Sequence, residues 1–226
     1  MSIETKYIHL KSHQLFSDLE ETKLMEVSAL AKVHTIYRSE NISYGDGDYS
    51  KIYFVIKGKI KLAEANDLGE ELIKDILTEG DILGDISLDG NPSLDEYAEA
   101  LMSNTIICSF NVPDFKKILQ ANPLLALRFA NKVSNRLRKA ENRHADLVFR
   151  DAKSRLIRFI KYWANMDGNR IGNKIVLNNY LTHSDIAGFI STSRQSVNVL
   201  LNELRDSGML FYNRKKIEIN DSFQWN

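Results

Sequence analysis

Residues Thr182 to Leu204 read THSDIAGFISTSRQSVNVLLNEL, and the spacing of apolar side chains in this stretch predicts two short helices joined by a tight turn. Thr182 followed three residues later by Asp185 marks a helix start, the hydroxyl accepting a backbone N–H while the carboxylate reaches back. Ile186, Ala187 and Ile190 share one face, with Ala187 small enough for a second helix to cross closely. After Ser191-Thr192-Ser193 the pattern restarts as Val197, Leu200, Leu201 and Leu204, a stripe at helical spacing that buries one side. Arg194, Gln195, Asn198 and Asn202 fall outside that stripe. Long, planar, hydrogen-bonding side chains near a helix N-terminus are what a recognition helix presents to a major groove. Thr182, Ser193 and Ser196 join them as candidate contacts to double-stranded DNA. Ser191 falls in the turn between the two helices. Thr192 and Gln195 have the spacing of a second capping box.

The residues beyond Leu204 strengthen this assignment. Gly208 stops the second helix, and Met209 to Tyr212, then Asn213-Arg214-Lys215, then Lys216 to Ile219 read as a hairpin with a basic tip. That is the shape of a winged helix, and Arg214, Lys215 and Lys216 are candidate phosphate contacts.

The chain has 226 residues with 43% hydrophobic content, enough for two modest domains. No apolar run approaches the roughly twenty residues of a membrane span, and the N-terminus lacks the basic-then-apolar order of a signal peptide. No membrane association and a cytoplasmic location are expected. The single Cys108 excludes an internal disulfide and a multi-thiolate metal centre, and its apolar neighbours predict a small core residue. A net charge of zero hides an asymmetry: residues 151–226 carry eleven Lys/Arg against seven Asp/Glu, whereas residues 40–100 carry five Lys against fifteen Asp/Glu. The basic excess lies with the helix-turn-helix, and the acidic segment repels nucleic acid.

Taken in order, residues 12–34 predict short amphipathic helices with Phe16, Leu19, Leu24, Val27, Leu30 and Ala31 as the apolar side. From about Ile36 to Phe110 the period changes to two. Ile52 to Ile56, Ile60 to Leu62, Leu72 to Leu77, Ile82-Leu83 and Thr105 to Cys108 predict short strands separated by glycine turns, among them Gly45-Asp46-Gly47-Asp48 and Asp89-Gly90-Asn91-Pro92. Many short strands at even spacing imply a double-sheet jelly roll. A helix begins near Asp114, breaks at Asn122-Pro123 and restarts to about Arg150. In that long helix Ala126, Ala130, Val133, Leu137, Ala140, His144 and Leu147 recur at spacings of four and three, a heptad seam with charged flanks that predicts a parallel homodimer. Asp151 opens the last domain, where Leu156, Ile157, Phe159, Ile160, Trp163 and Ala164 form an apolar helix face.

This order resembles the family of cyclic-AMP receptor protein and fumarate–nitrate reduction regulators, the Crp/Fnr family. The resemblance rests on Lys51 to Gly58, on Glu79-Gly80-Asp81-Ile82-Leu83-Gly84-Asp85-Ile86-Ser87-Leu88, on Asp114-Phe115 and on Ser193 to Val197. It implies an α+β chain of three parts: a double-stranded β-helix (jelly-roll, cyclic-nucleotide-binding-like) sensor over residues 1–122, a dimerisation helix over 123–150, and a winged helix-turn-helix over 151–226. It further implies a transcription regulator that is no enzyme, with RNA polymerase as a further candidate partner and an unidentified small-molecule effector or none.

The resemblance also places an effector pocket at Gly84, Asp85, Ile86, Asp95, Glu96, Ala140 and Glu141, where this chain departs from the family. Cyclic-nucleotide-binding members carry an acid for the ribose, a role Asp85 fits, and then an Arg-Ser or Arg-Thr pair for the phosphate. Here that pair falls at Asp95-Glu96, and residues 91–101 contain no Arg or Lys. A carboxylate facing a phosphate is repulsive by about a few kcal/mol at an effective dielectric near 20. The hydroxyl pair that meets adenine falls at Ala140-Glu141, which has no hydroxyl. The expected pocket is therefore degenerate, with neither cyclic AMP nor a resident cofactor. Gln195 and Val199 also differ from the receptor protein, so its operator does not carry over.

Other classes fare worse. A jelly-roll metal enzyme needs clustered histidines on its strands, but His9, His13, His34, His144 and His183 all lie outside residues 36–110. Asp46-Gly47-Asp48 resembles a calcium loop whose closing Glu position is Lys57. There is no G-x-S-x-G, Walker or G-x-G-x-x-G motif. No catalytic or metal-ligating set is expected. The competing non-enzymatic reading is a small-molecule sensor or interaction module whose C-terminal domain does not bind DNA specifically.

Overall fold

The computed structural model describes residues 2–42, 50–67, 69–89 and 96–220, and its contacts divide the chain into two units, Met1–Ala140 and Glu141–Asn226. In the first unit, α1 (Ile3–Ser12) and α2 (Glu21–Leu30) precede eight strands: β1 (Lys32–Ile36), β2 (Asn41–Ile42), β3 (Lys51–Lys57), β4 (Ile60–Ala65), β5 (Glu71–Leu77), β6 (Ile82–Gly84), β7 (Glu96–Ala100) and β8 (Thr105–Asn111). Then come α3 (Val112–Ala121) and α4 (Pro123–Phe149), whose last residues belong to the second unit. The strands form two antiparallel sheets in the orders β1-β8-β3-β6 and β2-β7-β4-β5, which is the expected jelly roll.

β3 shows why this sequence makes two layers and a helical cover. It is buried at every residue from Lys51 to Ile56, because alternate side chains enter different cores. Tyr53 and Val55 meet Ile60, Leu62, Leu83 and Ile107 between the sheets. Ile52, Phe54 and Ile56 join Cys108, Phe110 and the apolar sides of the helices on the other face. The Phe54 ring centroid lies 5.0 Å from Phe16, 5.7 Å from Phe110 and 5.2 Å from Phe115. Phe115 in turn lies 5.4 Å from Phe129 of α4. Such tilted pairs contribute about 0.5–1.5 kcal/mol each beyond their area burial. Cys108 is fully buried here, and burial raises its thiol to about 12, so it is an inert core residue.

Three expectations need correction. The helical region begins at Ile3 and ends at Leu30, and strand pairing begins at Lys32 against Ser109. β1 is an edge strand with Lys32, His34 and Thr35 exposed or half-exposed, so it carries no apolar alternation to read. Leu30 is 49% exposed and does not belong to the apolar side. β7 is absent from the sequence expectation because Glu96-Tyr97-Ala98-Glu99-Ala100 is built mainly of helix-favouring residues. Its Ala98 and Ala100 oppose Leu62 and Ile60 across β4, where only a small side chain fits between the sheets. The Gly45 to Asp48 turn, with its calcium-loop resemblance, and Asn91 to Asp95 lie outside the described residues.

α4 is partly a barrel helix, since Leu125 and Phe129 are buried in the first unit's core and Val133 packs against it. Val133 is half-buried, and the rest of its side chain stays accessible. Ala130, Leu137, Ala140, His144 and Leu147 lie along α4, and Leu137 and Leu147 are 60% and 40% exposed. Leu127 and Val148 are exposed as well, at 60% and 61%.

In the second unit, α5 (Ala152–Asp167) is capped by Asp151, whose carboxylate accepts from Ser154 N–H at 2.7 Å. β9 (Asn169–Ile171) and β10 (Lys174–Asn178) lead to α6 (His183–Ile190) and α7 (Arg194–Asp206), and β11 (Leu210–Tyr212) and β12 (Lys216–Asn220) close the fold. The strands form one antiparallel sheet in the order β11-β12-β10-β9. No helix among the described residues is long and apolar enough to cross a membrane.

His13 follows α1 and is fully buried, its Nδ1 accepting from Leu15 N–H at 3.2 Å and its ring 5.4 Å from Phe54. Burial, reinforced by the Lys132 cation and opposed by Asp81, lowers His13 to about 4. The fold therefore prefers neutral imidazole, so this contribution is complete above the unfolded value near 6.5 and is lost as pH falls toward 4. Urea unfolding of the first unit's core should weaken by about 2 kcal/mol between pH 7.5 and pH 5. His13→Phe should remove that part of the pH dependence; equal slopes in both proteins would exclude His13 as its source.

Candidate nucleic-acid interface

The starts of α6 and α7 are each fixed by a side-chain cap. At the start of α6, Thr182 Oγ1 accepts from Asp185 N–H at 3.0 Å, and the Asp185 carboxylate accepts from Thr182 N–H at 2.7 Å and from its hydroxyl at 2.6 Å. The expected capping box is present, and it commits the Thr182 hydroxyl proton to Asp185. Ser191 then takes the left-handed conformation with φ 53° and ψ 63°, a strain of about 1 kcal/mol or more for a non-glycine. Thr192 N–H donates to Ala187 carbonyl at 3.0 Å and closes the turn.

The second capping box is corrected by the structure. Ser193, not Thr192, caps α7, accepting from Ser196 N–H at 3.0 Å. The Ser193 and Ser196 hydroxyls lie 2.8 Å apart. With the cap one residue later, Gln195 sits in the first turn of α7, outside any capping box. Val197, Leu201 and Leu204 are buried, while Arg194, Gln195, Asn198 and Val199 are exposed. Asn202 differs from expectation: it is half-buried, and its Oδ1 accepts from the Tyr212 hydroxyl at 3.2 Å, tying α7 to β11. The cause is the wing strand behind the helix, which a helical wheel does not contain. Gly208 at φ 73° ends α7, with Met209 N–H donating to the Leu204 carbonyl at 3.0 Å.

The wing tip is rigid. Asn213 Oδ1 accepts from the N–H groups of Lys215 and Lys216 at 2.8 and 2.9 Å. Asn179 grips the other side, its Nδ2 donating to the Asn213 carbonyl and its backbone N–H to the Lys215 carbonyl, both at 2.8 Å. Arg214 and Lys215 are exposed at this tip. Lys216 instead pairs with Glu218 at 2.5 Å, which also takes Lys174 at 3.0 Å. The two cations hold the Glu218 carboxyl below its ordinary range, so Lys216 offers less free charge than its neighbours. His183, 5.7 Å from the Tyr212 ring, is lowered by burial and then by the Arg194 cation.

Sequence reading missed two arginines. Arg155 of α5 donates through Nε to the Ile190 carbonyl at 2.8 Å and through Nη2 to the Ser191 carbonyl at 3.2 Å. Arg143 donates to the Phe189 carbonyl at 3.0 Å. An arginine aimed at a helix C-terminus has a recognisable logic, but its partner is far away in the chain, so no local pattern reveals it.

None of the described residues expected to line the pocket carries a cation for a phosphate. Gly84 adopts φ 86°, and a Cβ there would lie 2.4 Å from the Lys51 carbonyl oxygen. Its role is close backbone approach. The Asp85 carboxylate is buried and turned into its own loop, accepting from Ser50 and Ser87 hydroxyls at 2.8 Å and from Leu88 N–H at 2.9 Å. Ile86 packs against the helix-covered core. The Glu96 carboxylate meets Lys74 at 3.3 Å, Asp95 lies outside the described residues, and Ala140 and Glu141 are exposed on α4.

Comparison with known proteins agrees with this geometry. The profile of the cyclic nucleotide-binding domain matches residues 36–122, and that of the Crp-like helix-turn-helix domain matches residues 154–222. The chain is similar to the global nitrogen regulator of Nostoc sp., with 29% identity over 188 residues that span 83% of this chain and 84% of that one. It is also similar to the anaerobic regulatory protein of Bacillus subtilis, with 26% identity over 86% of this chain and 82% of that one. Among solved structures, a CooA mutant from Carboxydothermus hydrogenoformans shares the fold with a TM-score of 0.72 at 23% identity, covering 87% of this chain and 86% of that one. Carrying both matched domains in this order, the chain belongs to the Crp/Fnr family of transcription regulators, with a helix-turn-helix DNA-binding domain.

Proposed function

We propose that the chain acts as a cytoplasmic, non-enzymatic homodimer that reads a pseudo-palindromic operator through residues 193–204, with a sensor barrel that does not take up cyclic AMP. The observation that carries the DNA reading is the capped start of α7, where Arg194, Gln195 and Asn198 are exposed together. The planar fork of Arg194 matches guanine O6 and N7. Gln195 and Asn198 have the donor and acceptor pair that adenine N7 and N6 require, and exposed Val199 suits a thymine methyl. Thr182 and Ser193 act as caps, leaving backbone N–H groups at the helix starts for phosphate. Ser196 is tied to Ser193, and Asn202 braces the wing. Arg214 and Lys215 meet phosphates, with Lys216 contributing less because of Glu218.

Support for a homodimer comes from α4, where Leu127, Leu137 and Val148 are 60%, 60% and 61% exposed, with small Ala130 between the first two. Leucines at that exposure on a helix with charged flanks are unfavourable in water, and a second α4 covers them. A two-fold dimer places half-sites about one helical turn, roughly 34 Å, apart. Against cyclic AMP stand the occupied Asp85 carboxylate, Glu96 at the phosphate position and the hydroxyl-free Ala140-Glu141 pair. An uncharged or cationic effector, or none, fits this barrel better, and RNA polymerase is the further partner.

Leu127→Asp with Leu137→Asp should give monomers in sedimentation at micromolar concentration; an intact dimer would remove α4 from the interface. Calorimetry with cyclic AMP or cyclic GMP should give no heat at physiological concentration, and micromolar affinity for either would overturn the degenerate pocket. In selection from random duplexes, Arg194→Ala should cost about 1–3 kcal/mol and flatten one base position per half-site. Lys215→Ala should weaken all sequences alike and lower the salt slope by roughly one unit. If Arg194→Ala kept the parent's preferences, Arg194 would be a phosphate contact.

A further inference from the structure

α6 is only eight residues long, so its C-terminal carbonyls are a large share of its backbone groups, and the left-handed Ser191 at its end has no glycine to ease it. Helix ends of this kind need outside donors. Here the donors are two guanidinium groups. Arg155 uses three of its N–H groups: Nε to Ile190 carbonyl at 2.8 Å, Nη2 to Ser191 carbonyl at 3.2 Å and Nη1 to Arg150 carbonyl at 2.7 Å. It thereby joins the turn before α7 to the residue just past the end of α4. Arg143 reaches the same turn from α4 itself. Its Nη2 donates to the Phe189 carbonyl at 3.0 Å, and its guanidinium carbon lies 4.2 Å from the Phe189 ring centroid. That ring is backed by Phe159 at 4.6 Å, so it cannot yield without disturbing α5. The footing of the clamp is fixed in turn by Asp146, which accepts from Arg150 at 2.9 Å and Arg158 at 2.8 Å.

We propose that Arg143 and Arg155 are positioning residues for DNA recognition: they take up the Phe189, Ile190 and Ser191 carbonyls and so hold the turn, and Arg194 directly after it, in the orientation that reads a base. Neither touches DNA in this scheme; both act through Ser191 to Ser193. Arginine is specific to the task, because three donors in one rigid plane meet three carbonyls, whereas a lysine ammonium is a single compact point. The inference rests on the reading of α7 as the recognition helix.

The test is a double-substitution cycle on the full-length protein with its selected operator. Arg155→Lys keeps the charge and removes the fork. It should lower operator affinity about tenfold and blur base preference at the Arg194 position, with an unchanged salt slope, since no phosphate contact is lost. Adding Arg194→Ala to Arg155→Lys should then cost much less than Arg194→Ala alone, because a misplaced arginine has little left to lose. Additive losses, a salt slope lowered by one unit, or parent-like preference in Arg155→Lys would each overturn the proposal. If Arg155→Lys lowers the unfolding temperature too far for binding to be measured, Arg143→Lys enters the same cycle with the same criteria. Failure of Arg194→Ala alone to alter base preference would fault the reading of α7 instead, and the two failures are thus distinguishable.

Discussion

Everything in the first unit depends on a strand that has no solvent side. Alternate residues of β3 serve two cores, so the second sheet and the helical cover are both required to keep Ile52 to Ile56 out of water. Each fully buried Ile, Val or Phe side chain contributes about 1.5–3 kcal/mol relative to exposure. The Phe54 ring carries this furthest, meeting residues from the segment after α1, from β8 and from α3. Phe115 and Phe129 then bring α4 onto the same cluster. The start of the long helix is thus set by packing, and only its other side is available for another molecule.

The second unit combines an apolar core, in which Leu156, Phe159, Trp163, Leu201 and Leu204 are buried, with hydrogen bonds that fix its turns. α6 and α7 are short, and helices of this length are marginal on their own. Their starts are fixed by Thr182 with Asp185 and by Ser193 with Ser196, and the turn between them by two distant arginines. The wing is tied by Asn179 and Asn213. The result is a set of exposed groups, Arg194, Gln195, Asn198, Arg214 and Lys215, standing on backbone that is hydrogen-bonded at the cap and at the wing tip. Preorganisation of that kind lowers the ordering cost of binding a stiff duplex.

The charge distribution follows the same division. Acidic residues dominate the barrel segment, and several are consumed inside it: Asp85 by its own loop, Glu96 and Glu64 by Lys74, Glu71 and Glu99 by Lys61. Lys61 is only 5% exposed, so its two carboxylates are structural partners, not a surface for cations. In the second unit Arg143, Arg155, Lys174 and Lys216 are likewise engaged, whereas Arg194 at the start of α7 and Arg214 and Lys215 at the wing tip are exposed.

By itself the amino-acid sequence determined the elements with strong local periodicity or chemistry: the alternating strands, the long helix, the cap at Thr182 and the basic wing. It also carried the family resemblance, because motif residues at fixed spacing survive where overall identity does not. Tertiary structure decided whatever depends on a partner distant in the chain. Edge strand β1 and alanine-rich β7 exist because β8 and β4 pair with them, and neither shows a period of its own. Asn202 looked available to a ligand because a helical wheel does not contain Tyr212, and Asp85 receives Ser50 from 35 residues away as well as its own loop. Val133 fits the heptad by spacing, and only the folded chain shows that part of its side chain packs on the first unit's core. Periodicity reports which side of an element avoids water, whereas the identity of what covers that side is a property of the folded chain.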